Sequence, residues 1–130
     1  MPGFLANYNA YQNLKFLACI NNAITKDEIR KTIEFVGLNP SDKKRVGKFS
    51  LGMKQRLALA QAIMENPDIF ILDEPMNGLD KDGVKDVRTY LLDLKSKGKT
   101  ILLASHSSED IEVLCDTVHE MDKGIIKKLK

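Results

Sequence analysis

Two adjacent carboxylates, Asp73 and Glu74, follow the short apolar run Ile69-Phe70-Ile71-Leu72. Carboxylates where a strand leaves a parallel sheet stand where open α/β sheets bind their ligands. One can hold Mg²⁺, which keeps several waters and shares phosphate oxygens. The other can orient or deprotonate an attacking water. Upstream, Ser50 and Gly52 sit at a predicted helix start, where free backbone N–H groups and the positive dipole end favour an anion. Downstream come a third carboxylate, Asp80, and the pair Ser105-His106 after a second apolar run. Together these pieces suit the handling of a nucleoside triphosphate. Alone, each has a blander meaning: Asp-Glu-Pro as a polar turn, Ser-x-Gly as a helix cap.

The elements that must position them follow from pattern. Ile69 to Leu72, bounded by Asn66-Pro67 and Asp73, predicts a strand over 68–73 buried on both faces of a parallel sheet. Ser50 caps a helix carrying Leu57, Leu59, Ala60, Ile63 and Met64, stopped by Asn66-Pro67. Helix 81–97 has the stripe Val84, Val87, Leu91, Leu94. A strand at 100–104, a helix at 107–116 and short strands near 118–121 and 124–128 complete this part. The βαβ alternation implies a parallel sheet. Residues 1–65 read as helical: Asn9 to Ile24, then a Thr25–Glu28 capping box opening a helix with Ile29, Ile33 and Val36 that stops at Gly37. Leu38-Asn39-Pro40 is a turn, and Ser41 is a candidate cap for a short helix.

Four stretches in this order resemble the ATP-binding domain of ABC transporters. Phe49-Ser50-Leu51-Gly52-Met53, with Lys54-Gln55-Arg56 after it, is similar to the signature Leu-Ser-Gly-Gly-Gln. Ile69 to Glu74 resembles Walker B, Asn77-Gly78-Leu79-Asp80 the D-loop, and His106 the switch histidine. Leu51 and Met53 depart from the signature's glycine and glutamine. The Ser-Leu-Gly-Met-Lys-Gln form resembles exporter ATPases of bacitracin or lantibiotic resistance. The resemblance implies an α/β fold: a partial P-loop NTPase (RecA-like) parallel sheet preceded by a helical subdomain. The divisions expected are 1–65, helical and ending in the signature helix, and 66–130, the second half of the ATPase core.

It also implies roles. Asp73 would hold Mg²⁺ through water, Glu74 polarise the attacking water, and His106 contact the γ-phosphate. Ser50, Leu51, Gly52 and Met53 would face a partner domain's ATP, and Asp80 would link the two active sites. Implied partners are a second nucleotide-binding domain and transmembrane permease subunits, with no nucleic acid, at the cytoplasmic side of the cell membrane. The implied output is export, with antimicrobial peptides a candidate cargo. The P-loop pattern G-x-x-x-x-G-K-[ST] does not occur in the 130 residues. Gly98-Lys99-Thr100 lacks the earlier glycine, residue 93 being Asp93, and precedes a strand instead of following one. The expectation is the C-terminal part of such a domain, inactive alone and self-associating through an apolar edge at 100–104. Rival readings are a fragment of a soluble ABC ATPase of DNA repair or translation, or a non-catalytic binding fragment.

Composition is that of an ordinary globular domain: 43% hydrophobic, 29% charged, formal net charge +2. That charge implies no nucleic-acid or membrane preference. Cys19 and Cys115 are expected as reduced core residues. No stretch reads as a membrane span or a signal peptide. The run Lys43 to Lys48 reads as a solvated basic face, His119 as structural, and Tyr8 and Tyr11 as packing residues.

Overall fold

The computed structural model describes residues 3–20 and 23–130. Helix α1 spans Ala10–Ala18 behind a capping box in which the Asn9 side chain and Gln12 reciprocate. It is shorter than the predicted helix over 9–24: the chain turns at Cys19 and Ile20, and Asn21 and Asn22 lie outside the described residues. α2 spans Lys26–Phe35. Of the capping box expected there, the Thr25 half forms among the described residues, Oγ1 accepting from Glu28 N at 3.2 Å. Ser41 caps no helix; a 3₁₀ turn follows at Val46–Lys48. α3 spans Leu51–Met64.

Strand β1 (Ile69–Asp73), helix α4 (Lys81–Ser96) and strand β2 (Thr100–Ala104) form a βαβ unit. β1 and β2 pair in parallel, Ile69 opposite Thr100 and Asp73 opposite Ala104. Gly98 ends α4 at φ +83°, with Lys99 N donating to Leu94 O at 3.2 Å. Thus Gly98-Lys99-Thr100 is a helix exit and a strand start. α5 covers Ser108–Leu114 and an antiparallel hairpin joins β3 (His119–Asp122) to β4 (Ile125–Lys128).

One core runs through both parts of the chain. Leu14, Ile29, Ile33, Val36 and Leu57 from the helices join Phe70, Val87, Leu91 and Leu94. Leu72, Ile101 and Leu103 pack against that cluster. The expectation of a strand buried on both faces is corrected here. Phe70 is 2% exposed, whereas Ile69 and Ile71 are 64% and 76% exposed and Leu102 is 63% exposed. Strand side chains alternate between faces, so one face of β1–β2 enters the core and the other carries apolar residues that no described residue covers. Cys19 is exposed instead of buried, because α1 ends at Ala18 and no longer aims it inward. Cys115 is half-buried.

Candidate functional site

Where β1 ends, the chain must leave the sheet at once, and Glu74 does so in the left-handed region at φ +47°. Its backbone N–H still donates to Ala104 O at 2.9 Å, extending the parallel ladder by one bond. That holds residue 74 against the end of β2, from which the chain runs directly into Ser105 and His106. The Glu74 carboxylate then accepts from His106 N, Oε1 at 2.9 Å. The His106 ring Nε2 lies 3.4 Å from the same oxygen. Two predicted residues, 32 apart in sequence, therefore meet. The Glu74 side chain is 33% exposed and the His106 ring 98% exposed, so an acid and a histidine face solvent from a fixed backbone.

The loop after Glu74 turns through Gly78 at φ +77°, a conformation in which a side chain is strained. Asp80 ends the loop as N-cap of α4, Oδ1 accepting from Gly83 N at 2.8 Å. A groove of about 940 Å³ runs between this loop and α5, lined among others by Glu74, Asp80, Lys81, Arg88, His106 and Asp110. Arg88 on α4 holds Asp110 through Nε at 2.7 Å, and this bond, ahead of the Glu109 contact, raises the guanidinium above its usual value.

The start of α3 is built by Ser50, whose Oγ accepts from Met53 N at 3.1 Å. Gly52 approaches the loop closely: a Cβ there would stand 3.3 Å from Leu79 Cδ2. Gln55 Nε2 donates to Asn77 O at 3.3 Å. Ser50, Gly52 and Met53 do not line the groove of Glu74 and His106; of the signature residues Leu51 alone shares a groove with Asp73 and Glu74 among the described residues. Asp73 is exposed at the strand end and lines a second groove of about 630 Å³ with Leu51, Gln55 and Glu74. No cluster of three or more metal-ligating side chains exists among the described residues. Adjacent Asp73 and Glu74 nonetheless suit Mg²⁺, which one or two carboxylates, phosphate oxygens and water satisfy.

Arg56 is a residue whose role the sequence left unassigned. Its Nη1 donates to Val36 O at 2.9 Å and to Tyr90 Oη at 3.2 Å, and Nη2 pairs with Asp86 at 2.8 Å. Burial pushes its pKa down, but the Asp86 hydrogen bond and the Tyr90 contact more than offset this and leave it raised. It ties the end of α2 and the body of α3 to α4. Asp86 and Tyr90, four apart on a predicted helix, were the available signal: they form a polar strip beside the apolar stripe.

Comparison with known proteins fits this geometry. Residues 2–77, more than half the chain, match the family model described as ABC transporter. The chain is 48% identical over 120 residues to an ABC transporter ATP-binding protein of Bacillus subtilis, YybJ, covering 92% of this chain and 55% of that protein. It is 42% identical to the bacitracin transport ATP-binding protein BcrA of Enterococcus faecalis over 124 residues, 95% of this chain and 40% of that one. It is 38% identical to the lantibiotic transport ATP-binding protein SrtF of Streptococcus pyogenes over 125 residues, 96% and 54%. The chain thus spans about half, or less, of the length of these curated relatives. No helix among the described residues is long and apolar enough to cross a membrane.

Proposed function

The chain belongs to the ABC transporter family, and from that premise we propose that it forms part of an ATP-binding subunit coupling ATP hydrolysis to export. The relatives named for bacitracin and lantibiotic transport support antimicrobial peptides as the cargo class. The observation that carries the reading is the contact of Glu74 with His106 at the paired ends of β1 and β2. The division at residue 65 into a helical part and a core part belongs to the same proposal.

Oε1 of Glu74 is held by His106 N–H, which leaves Oε2 to accept a hydrogen bond from water and aim its oxygen at the γ-phosphorus. The water oxygen forms the new bond to phosphorus as its proton passes to Oε2 of Glu74, the bond from the γ-phosphorus to the β–γ bridging oxygen breaks, and ADP leaves with that electron pair. His106, fully in solvent and beside Glu74, donates to a γ-phosphate oxygen. Mg²⁺, held from Asp73, supplies charge neutralisation when bound. Ser50 and Gly52 present the start of α3 to the phosphates of a second nucleotide-binding domain. Asp80 couples the two sites from the start of α4. Permease subunits at the cytoplasmic membrane face receive the output.

The 130 residues hold no P-loop, and a triphosphate needs such a backbone cradle and its lysine. Alone, the chain is therefore inactive and binds ATP weakly, because its carboxylates repel an unneutralised triphosphate. It also self-associates, burying the Ile69, Ile71 and Leu102 face in doing so. Calorimetric titration of the chain with Mg-ATP tests the first statement. No heat of binding is expected at micromolar concentrations. Saturable micromolar binding abolished by Asp73→Ala would overturn it.

A further inference from the structure

The first turn of α3 and the loop between Glu74 and Asp80 meet at a shaped joint. Gly78 has no side chain, and a Cβ there would lie well inside contact distance of Leu51 Cδ2 and 3.0 Å from Leu51 Cγ. Leu51 is therefore seated in the space a side chain at 78 would fill. The seat exists because Gly78 both lacks a Cβ and adopts φ +77°. Two contacts flank it: Gln55 Nε2 on Asn77 O, and Leu79 Cδ2 against Gly52. On one side of the joint Ser50 caps α3; on the other Asp80 caps α4.

We propose that Leu51 is a positioning residue that locks the start of α3 to the loop carrying Glu74 and Asp80, so that the two move as one unit. A glycine at 51 would leave the seat empty, while the exposed Gln55–Asn77 bond and the close approach of Leu79 to Gly52 would remain. Leu51 is 43% exposed, so the lock lies in the part of its side chain seated against Gly78, and a displacement of the loop that keeps this contact carries Ser50 and Gly52 with it. The consequence for phosphate binding rests on the functional reading above. The joint itself does not.

Backbone hydrogen exchange on the 130-residue chain tests it without nucleotide. The probes are Met53 N and Gly83 N, the amides held by Ser50 and Asp80, with Leu57 and Leu91 amides as core controls. Leu51→Ala should speed exchange at Gly83 at least threefold, although Gly83 lies beyond the loop, while the controls stay within twofold. Leu51→Met, which refills the seat, should restore Gly83 to within twofold of the parent. Gly78→Ala, if it folds, should speed exchange at Met53 as well as Gly83, and in the Leu51→Ala background its effect on Met53 should vanish. An unchanged Gly83 in Leu51→Ala, or core amides accelerated as much as Gly83, overturns the proposal. Because no ATP is involved, the joint and the ATPase reading can fail independently, the latter by its calorimetric test.

Discussion

Replacing Arg56 by methionine should loosen the junction of α2, α3 and α4 while leaving the shape of the stem unchanged. Three interactions are lost. Val36 is fully buried and its carbonyl, at the end of α2, accepts from Arg56. Leaving such a group without a donor costs about 1–3 kcal/mol. The Tyr90 hydroxyl loses one hydrogen bond, about 1 kcal/mol. The Asp86 pair is worth about 0.5–1 kcal/mol, because its carboxylate side is 48% exposed and screened. These terms overlap, so the expected loss is about 2–4 kcal/mol, a large share of a typical domain's stability. Arg56→Lys should recover less than half, since one ammonium cannot span Val36 O and Asp86 as the planar fork does. Asp86→Asn should cost no more than about 1 kcal/mol. Urea denaturation followed by circular dichroism at neutral pH measures all three. The guanidinium pKa is raised from an already high value, so stability from this group is fully present below the unfolded value and is lost only in strong base. The Arg56→Met loss should thus be equal at pH 6 and pH 9. A loss under about 0.5 kcal/mol would refute the view that Arg56 clamps the junction.

Asp80→Ala should cost about 1 kcal/mol by uncapping α4, whereas Asp80→Asn should be close to neutral, as urea midpoints would show. Cys19, exposed, should react with a thiol reagent at pH 8 well before Cys115, by mass spectrometry of the modified chain. Burial, with Asp116 nearby, raises the Cys115 thiol above its usual value. The neutral thiol is favoured in the fold, so stability from Cys115 is present below pH 9 and falls above it, and Cys115→Ala should flatten that fall. Light scattering should show a dimer or larger assembly; Ile71→Lys, on the uncovered sheet face, should shift it toward monomer. A folded monomer at all concentrations would remove self-association.

Much of this architecture is legible in the residues because the signals are local. Ser50 caps α3 as its position predicts and Gly98 closes α4, while Asp80 and Ser107 cap α4 and α5 without the sequence having assigned them that role. The parallel pairing of the 69–73 and 100–104 runs follows from two apolar strands separated by one amphipathic helix. What failed was long-range. An unbroken apolar run signals burial on both faces only if layers exist for both, and the Ile69–Ile71 face shows that a run cannot report its own neighbours. Cys19 shows the effect of a boundary: α1 ends at Ala18, under two turns before the expected Ile24, and that changes which face a residue presents. The Glu74–His106 contact could be placed at one sheet end from the resemblance, but the backbone bond from Glu74 to Ala104 that fixes it needs coordinates. The Arg56 clamp depends on where α4 crosses α3, which no periodicity encodes.

Whether Glu74 is the carboxylate that acts on water is decided most directly by one measurement. The chain is joined behind a P-loop half-domain of the same family, and ATP turnover and nucleotide affinity are measured with Glu74 and with Glu74→Gln. The amide keeps the shape and can still accept from His106 N–H, but it cannot take a proton or supply the charge that orients water. Affinity should stay within about threefold while turnover falls at least about a hundredfold, in line with the loss of a general base. Turnover by Glu74→Gln at the unsubstituted rate would contradict the account and would place the catalytic carboxylate elsewhere.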